Sequence, residues 1–137
     1  MDILRLLKNK FTLAKERLAS CSCTKKATLA KLAKSPDLGL QERVAENNNT
    51  YCDTLQVLSN HSDSGVRSLV AQNSSTSTAT SIALSQDSNC DVRYAMAEDC
   101  HTDRNLLDGL CKDDNPFVQD RARRTCNRLD GIKAESA

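Results

Sequence analysis

The sequence repeats itself every 26 residues, and this repeat constrains the fold more than any other feature. The segment 65–73, GVRSLVAQN, is matched at that spacing by 39–47, GLQERVAEN, by 91–99, DVRYAMAED, and by 117–125, FVQDRARRT. No residue is inserted or lost between copies. A fixed period of this length is typical of chains in which one small structural unit stacks on the next.

Apolar residues hold fixed positions within the repeat, and their spacing predicts a first short helix in each unit. Two apolar positions stand four residues apart, which places them on one helix face. They are occupied by Leu40, Val66, Val92 and Val118, and by Val44, Val70, Met96 and Ala122. A third position holds Ala45, Ala71, Ala97 and then Arg123. We predict that this face packs against neighbouring units.

Polar residues mark both ends of this predicted helix. The residues before it are of types that cap helix N-termini, namely Asp37, Asp63, Asn89 and Asn115. Pro116 then stands at the first helical position, which favours proline. The helix is expected to end at Asn47, Asn73 and Asp99, because Asn and Asp tolerate the left-handed backbone conformation.

The other half of each unit predicts a second short helix or 3₁₀ turn. It begins at residues of N-cap type, Thr50, Thr76 and Thr102. Two mostly leucine positions follow, Leu29, Leu55, Ser81 and Leu107, and three residues on Leu32, Leu58, Leu84 and Leu110. One two-helix unit cannot bury its apolar face alone, so stacked units are expected to share one core.

The combined pattern resembles the leucine-rich repeat variant, a bacterial family related in appearance to HEAT-like repeats. The resemblance rests on a Leu-x-x-Leu-Ala/Ser segment, an Asp turn and Val-Arg-x-x-Val-Ala-x-Asn, and it spans about Thr28 to Leu129. It implies an all-α, right-handed α-solenoid of alternating α and 3₁₀ helices. The family's usual Asn-Pro after the second helix is absent, since this chain has Asn47-Asn48, Asn73-Ser74 and Asp99-Cys100.

The pattern divides the chain into three parts. Residues 1–24 form a basic amphipathic helix and linker, residues 25–129 form three to four repeats, and residues 130–137 form a polar tail. Solenoids need terminal units with a polar outer face. In the last unit Arg121 and Arg124 are therefore interpreted either as part of a solubilising cap or, with Arg128, as a basic docking patch.

The N-terminal helix is predicted from MDILRLLKNKFTLAKERLAS. Its apolar stripe has helical spacing and comprises Ile3, Leu7, Phe11, Ala14 and Leu18. Its polar side carries Lys8, Lys10, Lys15 and Arg17. Such a helix either covers the open apolar edge of the first repeat or makes peripheral contact with an anionic membrane through residues 1–20.

The same segment is similar to the start of MinE, the bacterial division-site topological specificity factor. An apolar start and Lys-Asn-Lys precede Ala14, Lys15, Glu16, Arg17 and Leu18, and the similarity covers about 20 residues. It implies a membrane-seeking helix followed by a segment that contacts a membrane ATPase of the MinD type. Under this hypothesis Leu7, Phe11, Lys15 and Arg17 make the contact.

Charge is distributed unevenly along the chain. Residues 1–34 contain nine Lys or Arg and two acidic residues, whereas residues 35–119 contain 13 acidic and five basic residues. A protein that binds phosphate backbones needs a basic stripe. We therefore expect no nucleic-acid partner for the repeats and favour a protein partner with a basic or mixed surface.

The seven cysteines raise the question of a metal site. Proteins of the leucine-rich repeat variant can carry an N-terminal four-iron cluster, which needs four thiolates. The region before the repeats offers Cys21 and Cys23 alone. We interpret the cysteines mostly as reduced, small buried hydrophobes and expect no cofactor. If a 4Fe–4S cluster or zinc does bind, Cys21 and Cys23 are the candidates.

Motifs that would indicate catalysis are missing from the sequence. It contains no Gly-rich phosphate loop, no His-Glu-x-x-His and no Ser-His-Asp order. No secretory leader or spanning segment is expected either, which predicts a cytoplasmic location. We therefore expect a non-enzymatic scaffold, and Tyr51, Tyr94, Arg121 and Arg124 are the candidate partner-binding residues.

One repeat position is occupied by Arg67 and Arg93. A buried guanidinium needs acceptors, and its planar fork suits a carboxylate. We expect each of these arginines to bond an Asp or a backbone carbonyl of the neighbouring unit rather than a ligand.

Overall fold

The computed structural model is all-helical over the residues that it describes, 3–135 for the backbone and 10–131 for side chains. This confirms the predicted all-α class. In chain order the helices are α1 (Ile3–Ser20), α2 (Lys26–Leu32), α3 (Leu38–Glu46), α4 (Cys52–Leu58), α5 (Ser64–Gln72), α6 (Thr78–Ser85), α7 (Cys90–Glu98), α8 (Arg104–Leu110) and α9 (Pro116–Glu135).

The odd-numbered helices pack side by side in one row. Each contacts the next, from α1 through α3, α5 and α7 to α9, and the short even-numbered helices lie beside them. The two apolar positions predicted to face the core are at most 2% exposed in every unit. The core is therefore a continuous layer built from the same two positions of successive units, as the repeat predicts.

The N-terminal caps of the row helices follow the sequence pattern. Asp63 Oδ1 accepts from Gly65 N at 2.7 Å, and Asn89 Oδ1 accepts from Asp91 N at 2.7 Å. Asp37 caps α3 in the same way. These side chains satisfy backbone N–H groups that have no partner within the helix, which explains why helix starts recur at this position.

The C-terminal ends of the row helices differ from the prediction. None of the described residues other than glycine has a positive φ, and φ is −75° at Asn47 and −80° at Asn73. Both asparagine side chains are instead buried and reach back across the row. Asn73 Nδ2 donates to Ala45 O at 2.6 Å and to Asn47 O at 3.1 Å. We call Asn47 and Asn73 the amide ladder.

The threonines expected to start the second helices serve a different purpose. The N-cap residues are Tyr51, Ser77 and Asp103, one position later. Each threonine hydroxyl donates to the carbonyl six residues earlier, as Thr50 Oγ1 does to Val44 O at 2.7 Å. A polar hydroxyl next to the end of one helix finds its acceptor there, before the next helix begins. Its donation thus closes the turn.

The hydroxyl bond also places the end of α1 within the repeat. Thr24, which stands 26 residues before Thr50, donates to Leu18 O at 2.6 Å. Asn47 of the amide ladder donates to Ala19 O at 2.7 Å, as Asn73 does to Ala45 O. The last turns of α1 therefore accept the same two hydrogen bonds as the last turn of the row helix α3.

The second segment of each unit, for which the sequence predicts a short helix or a 3₁₀ turn, is an α-helix. Ser59 N bonds to Leu55 O at 2.8 Å, which is an i→i−4 bond. The i→i−3 bond that is typical of a 3₁₀ turn occurs at the end of the helix, where Asn60 N bonds to Val57 O at 3.2 Å. Segments of seven or eight residues are long enough to complete α-helical bonds, so the tight geometry is confined to the last turn.

The last helix, α9, continues to Glu135 and so includes most of the segment 130–137 that the sequence divides off as a polar tail. The helix packs against α8. Arg104 of α8 binds the Asp130 carboxylate through two nitrogens, at 2.6 and 3.2 Å. This tertiary contact supports the helical conformation of the polar segment around Asp130.

Candidate functional site

An acidic groove crosses the outer face of the row at α1, α3 and α5. It has a volume of about 550 Å³. Its charged lining residues are Glu16, Glu42, Glu46 and Arg43, and the remaining lining residues are Gly39, Gly65, Ser68 and Leu69. Glu16 and Glu42 stand one period apart, so stacking places the two carboxylates on adjacent helices. The groove presents an excess of negative charge to solvent.

Glycine keeps this groove open at one repeat position. Gly39 and Gly65 occupy it in the first two units of the groove. A Cβ added at Gly65 would stand 2.9 Å from the Asp63 carboxylate that caps α5. The missing side chain therefore leaves both the cap and the groove floor undisturbed.

An aromatic pocket lies on the same face at α7 and α9. Its volume is about 360 Å³, and it is lined by Cys90, Asp91, Tyr94, Asn115, Phe117 and Val118. Phe117 is 73% exposed and takes the repeat position that Gly39 and Gly65 hold in the acidic groove. Tyr94 takes the position of Glu42. The same two surface positions thus change from Gly and Glu to aromatic residues along the row.

The structure separates the candidate partner-binding residues. Tyr94 lines the aromatic pocket, whereas Tyr51 lies at the start of α4 with Lys26 Nζ 5.2 Å from its ring centre. Arg121 binds Glu98 at 2.6 Å and Arg124 binds Asp120 at 2.8 Å. Both arginines are therefore charge-compensated within the protein, and their role in partner binding stays a prediction.

The apolar stripe of α1 faces solvent where its side chains are described. Phe11 is 65% exposed and Leu18 is 49% exposed, while Ala19 is fully buried against the core. Lys15 Nζ lies 4.6 Å from the Phe11 ring centre, and Arg17 is exposed. The side chain of Leu7 lies outside the described residues. The visible part of the stripe does not cover the first repeat, which packs on a different face of α1.

Two arginine–aspartate pairs join consecutive units below this surface. Arg67 binds Asp87 through Nε at 2.7 Å and Nη2 at 2.9 Å, and its Nη1 donates to His61 O at 2.8 Å. Arg93 and Asp113 repeat this arrangement one period later. The expected inter-unit contact of these arginines is confirmed. The hydrogen bond from arginine, more than any other interaction, lowers the pKa of Asp87 and of Asp113.

Because the pKa values of Asp87 and Asp113 are lowered in the folded protein, we expect the protein to lose stability in acid. A folded-state pKa below the unfolded value of about 3.9 means that the unfolded chain binds protons first. The contribution is therefore complete above about pH 5 and is lost as the pH falls through 4 and below. We expect an Asp87→Asn, Asp113→Asn variant to lose less stability than the parent between pH 5 and pH 3, measured by urea unfolding. An equal loss would contradict this assignment.

The cysteines are arranged differently from their interpretation as mostly reduced and buried thiols. Cys21 and Cys23 form a disulfide, because the turn after α1 brings their Cα atoms to 5.3 Å. They are therefore not free thiolates for a cluster or zinc. Of the other five, Cys126 alone is buried, and its Sγ lies 3.9 Å from that of Cys111. Burial raises the pKa of Cys126 to about 11.

Sequence reasoning missed two of these features. It did not predict that Cys126 lies next to Cys111, which stands at the end of α8 and 15 residues earlier in the chain. It also did not single out the carboxylates of the acidic groove, although the spacing of Glu16 and Glu42 by one period was visible in the sequence.

No family model matches the sequence, and no curated protein or solved structure is significantly similar to it. Over residues 3–135, none of the helices combines the length and the apolar character that crossing a membrane requires.

Proposed function

We propose that this protein is a non-enzymatic, cytoplasmic scaffold that binds a segment of another protein along the outer face of its row of helices. One observation carries the proposal, namely that the acidic groove and the aromatic pocket lie on this one face. The proposed architecture is a right-handed α-solenoid of period 26, like the leucine-rich repeat variant and HEAT-like repeats. Repeats of that kind present extended binding surfaces.

The chemistry of the two depressions defines the partner segment. The acidic groove suits Lys or Arg side chains, and the aromatic pocket suits an aromatic or branched aliphatic side chain, since aromatic residues dominate many binding hot spots. The carboxylates of the groove lie on α1 and α3, whereas the aromatic side chains of the pocket lie on α7 and α9, so Glu42 and Tyr94 are two helix spacings apart. Packed helices stand about 8–10 Å apart, which makes this distance about 16–20 Å. An extended segment of about six residues can therefore reach both depressions.

Selection from a random peptide library tests this proposal. We expect enriched peptides to combine basic residues with one large apolar residue. A Tyr94→Ala, Phe117→Ala variant is expected to bind such peptides at least about tenfold more weakly, because truncated hot-spot anchors typically cost more than 1 kcal/mol. The measurement is calorimetric titration of one selected peptide.

A matched control separates this face from general surface hydrophobicity. Val57 and Ile82 are 73% and 47% exposed, and they lie on α4 and α6 rather than in either depression. A Val57→Ala, Ile82→Ala variant should bind the peptide normally. Equal weakening by both double variants, or selected peptides without basic residues, would refute the proposed surface.

A second candidate function rests on α1. Its exposed Phe11 and Leu18 lie on a helix that also carries Lys10, Lys15 and Arg17, and an anionic membrane would bury the apolar side chains while attracting the basic ones. Together with the similarity to MinE, this supports a membrane-associated regulator of a MinD-like ATPase. The iron–sulfur alternative loses support, because Cys21 and Cys23 are joined to each other.

Vesicle sedimentation tests the membrane candidate. We expect the full chain to bind vesicles containing phosphatidylserine and to bind neutral vesicles much less. Phe11→Ser, Leu18→Ser should abolish this binding, whereas Val57→Ser, which alters an equally exposed residue on α4, should not. Sedimentation of the Phe11 and Leu18 variant at the parent level would exclude α1 as the membrane contact.

A further inference from the structure

The amide ladder is interrupted in the unit that contains α7. Asp99 stands one period after Asn73, and its Oδ1 accepts from His101 N at 3.0 Å, as Asn73 Oδ1 accepts from Ser75 N at 2.8 Å. Asp99 cannot donate hydrogen bonds as the Asn73 amide does, because a carboxylate has no N–H. One unit later Thr125 Oγ1 donates to Ala97 O at 2.6 Å, so a donor returns at this position.

The interruption puts a carboxylate at the repeat position from which Asn73 donates to two carbonyl groups. Asn73 donates to Ala45 O and Asn47 O, and the carbonyls at the same positions one unit later belong to Ala71 and Asn73. A cavity of about 250 Å³ opens here, with Ala71, Asn73, Asp99 and His101 among its lining residues. Carboxylate and carbonyl oxygens repel each other unless a cation lies between or beside them. An asparagine at this position could donate to the two carbonyls and continue the amide ladder. The carboxylate therefore indicates a role other than stabilising the fold.

Three metal-ligating atoms already converge at this break. Asp99 Oδ1 lies 3.0 Å from His101 Nδ1, and Cys100 Sγ lies 3.7 Å from the same nitrogen. The three atoms all lie within 4.8 Å of one another. In a tetrahedral zinc site with bonds of 2.0–2.3 Å, ligand atoms stand about 3.3–3.8 Å apart. Small side-chain rotations therefore suffice to bring the three atoms onto one ion.

We propose that Asp99, Cys100 and His101 bind a zinc ion, with water in the fourth position. The set of one oxygen, one sulfur and one nitrogen suits a borderline-soft divalent ion and disfavours Mg²⁺ and Ca²⁺, which take oxygen ligands. Binding requires the thiolate, so zinc uptake releases a proton from Cys100. This site is independent of the partner-binding face proposed above and of the disulfide-bonded Cys21 and Cys23.

Metal titration of the full chain tests the site. The parent for this titration is the full chain with Cys21→Ser and Cys23→Ser, so that reduction releases no second thiol pair. It is kept reduced with a phosphine, and Zn²⁺ is titrated by calorimetry and Co²⁺ by absorbance. We expect one equivalent of either ion and a thiolate-to-cobalt charge-transfer band. Cys100→Ser should remove the band, and His101→Ala should weaken zinc binding at least about tenfold. The matched controls Cys90→Ser and His61→Ala should bind as the parent does.

Asp99→Asn separates metal binding from folding. The new amide can donate to the carbonyls as Asn73 does, so the thermal midpoint of the metal-free variant should rise by about 3 °C. Its zinc binding should nevertheless weaken at least about tenfold, because a charged ligand is lost. Failure of the reduced parent to bind zinc at micromolar concentration overturns the proposal. So does unchanged zinc affinity in Asp99→Asn, or loss of the cobalt band in Cys126→Ser instead of Cys100→Ser.

Discussion

Replacing Asn73 by alanine is expected to lower the free energy of unfolding by about 3 kcal/mol. The side chain is 5% exposed and makes three hydrogen bonds, two as a donor to Ala45 O and Asn47 O and one as an acceptor from Ser75 N. Alanine leaves Ala45 O and Ser75 N without this partner, whereas Asn47 O keeps the bond that it accepts from Thr50 N at 2.9 Å. Each buried polar group so abandoned costs about 1–3 kcal/mol, so the loss of both comes to about 3 kcal/mol.

An exposed asparagine supplies the control for this prediction. Asn60 is exposed, and its amide bonds locally to Gln56 O at 3.0 Å. Asn60→Ala should change stability by less than about 0.5 kcal/mol, since surface substitutions rarely do more. Urea unfolding at pH 7 measures both variants. A loss below about 1 kcal/mol in Asn73→Ala would mean that the amide ladder does not hold the units together.

The repeat period predicted the core because burial depends on position within a helix. Val66 and Val70 are four residues apart and must share a face, so their burial follows from the sequence once a helix is assumed. The caps at Asp63 and Asn89 follow for a similar reason, since each acts on its own helix within three residues. Interactions this local leave a signature in the order of residues.

Features that depend on contact between units could not be predicted in detail. Asn73 has the composition of a helix terminator, and its amide finds acceptors 26 and 28 residues earlier only after the units have stacked. The same holds for α9, whose last turns are supported by Arg104 of α8. Propensity describes a residue and its neighbours, whereas these bonds are decided by tertiary distance.

The candidate surface likewise combines features that the sequence predicts with features that depend on contact between units. Tyr94 was chosen for its size, and the structure places it with Phe117 in one pocket. The carboxylates of the acidic groove were visible as separate acidic residues, but their meeting on one face depends on the stacking of α1 on α3. The sequence also left open whether Phe11 is covered or exposed, because a helical stripe shows which residues share a face and not what covers it.

The second large effect is expected at Arg67. Its replacement by lysine should lower the free energy of unfolding by about 2 kcal/mol, and its replacement by alanine by about 3 kcal/mol. Lysine keeps the charge but cannot bind both Asp87 oxygens while also donating to His61 O. Removing one member of a fully buried pair costs about 3–5 kcal/mol. The side chains here are 14% and 10% exposed, so water partly solvates the remaining Asp87 and the cost is smaller.

Arg124 provides the matched comparison for the Arg67 variants. It pairs with Asp120 at a similar distance, 2.8 Å, but the two side chains are 71% and 60% exposed. Exposed pairs contribute at most about 1 kcal/mol, so Arg124→Lys should stay within about 0.5 kcal/mol of the parent in urea unfolding. If Arg67→Lys also stayed within that limit, the positive charge alone would account for the contribution of Arg67 to stability, and its two hydrogen bonds to Asp87 would add nothing. A loss of stability in Arg67→Lys but not in Arg124→Lys would instead show that the paired hydrogen bonds of the Arg67 guanidinium hold the two units together.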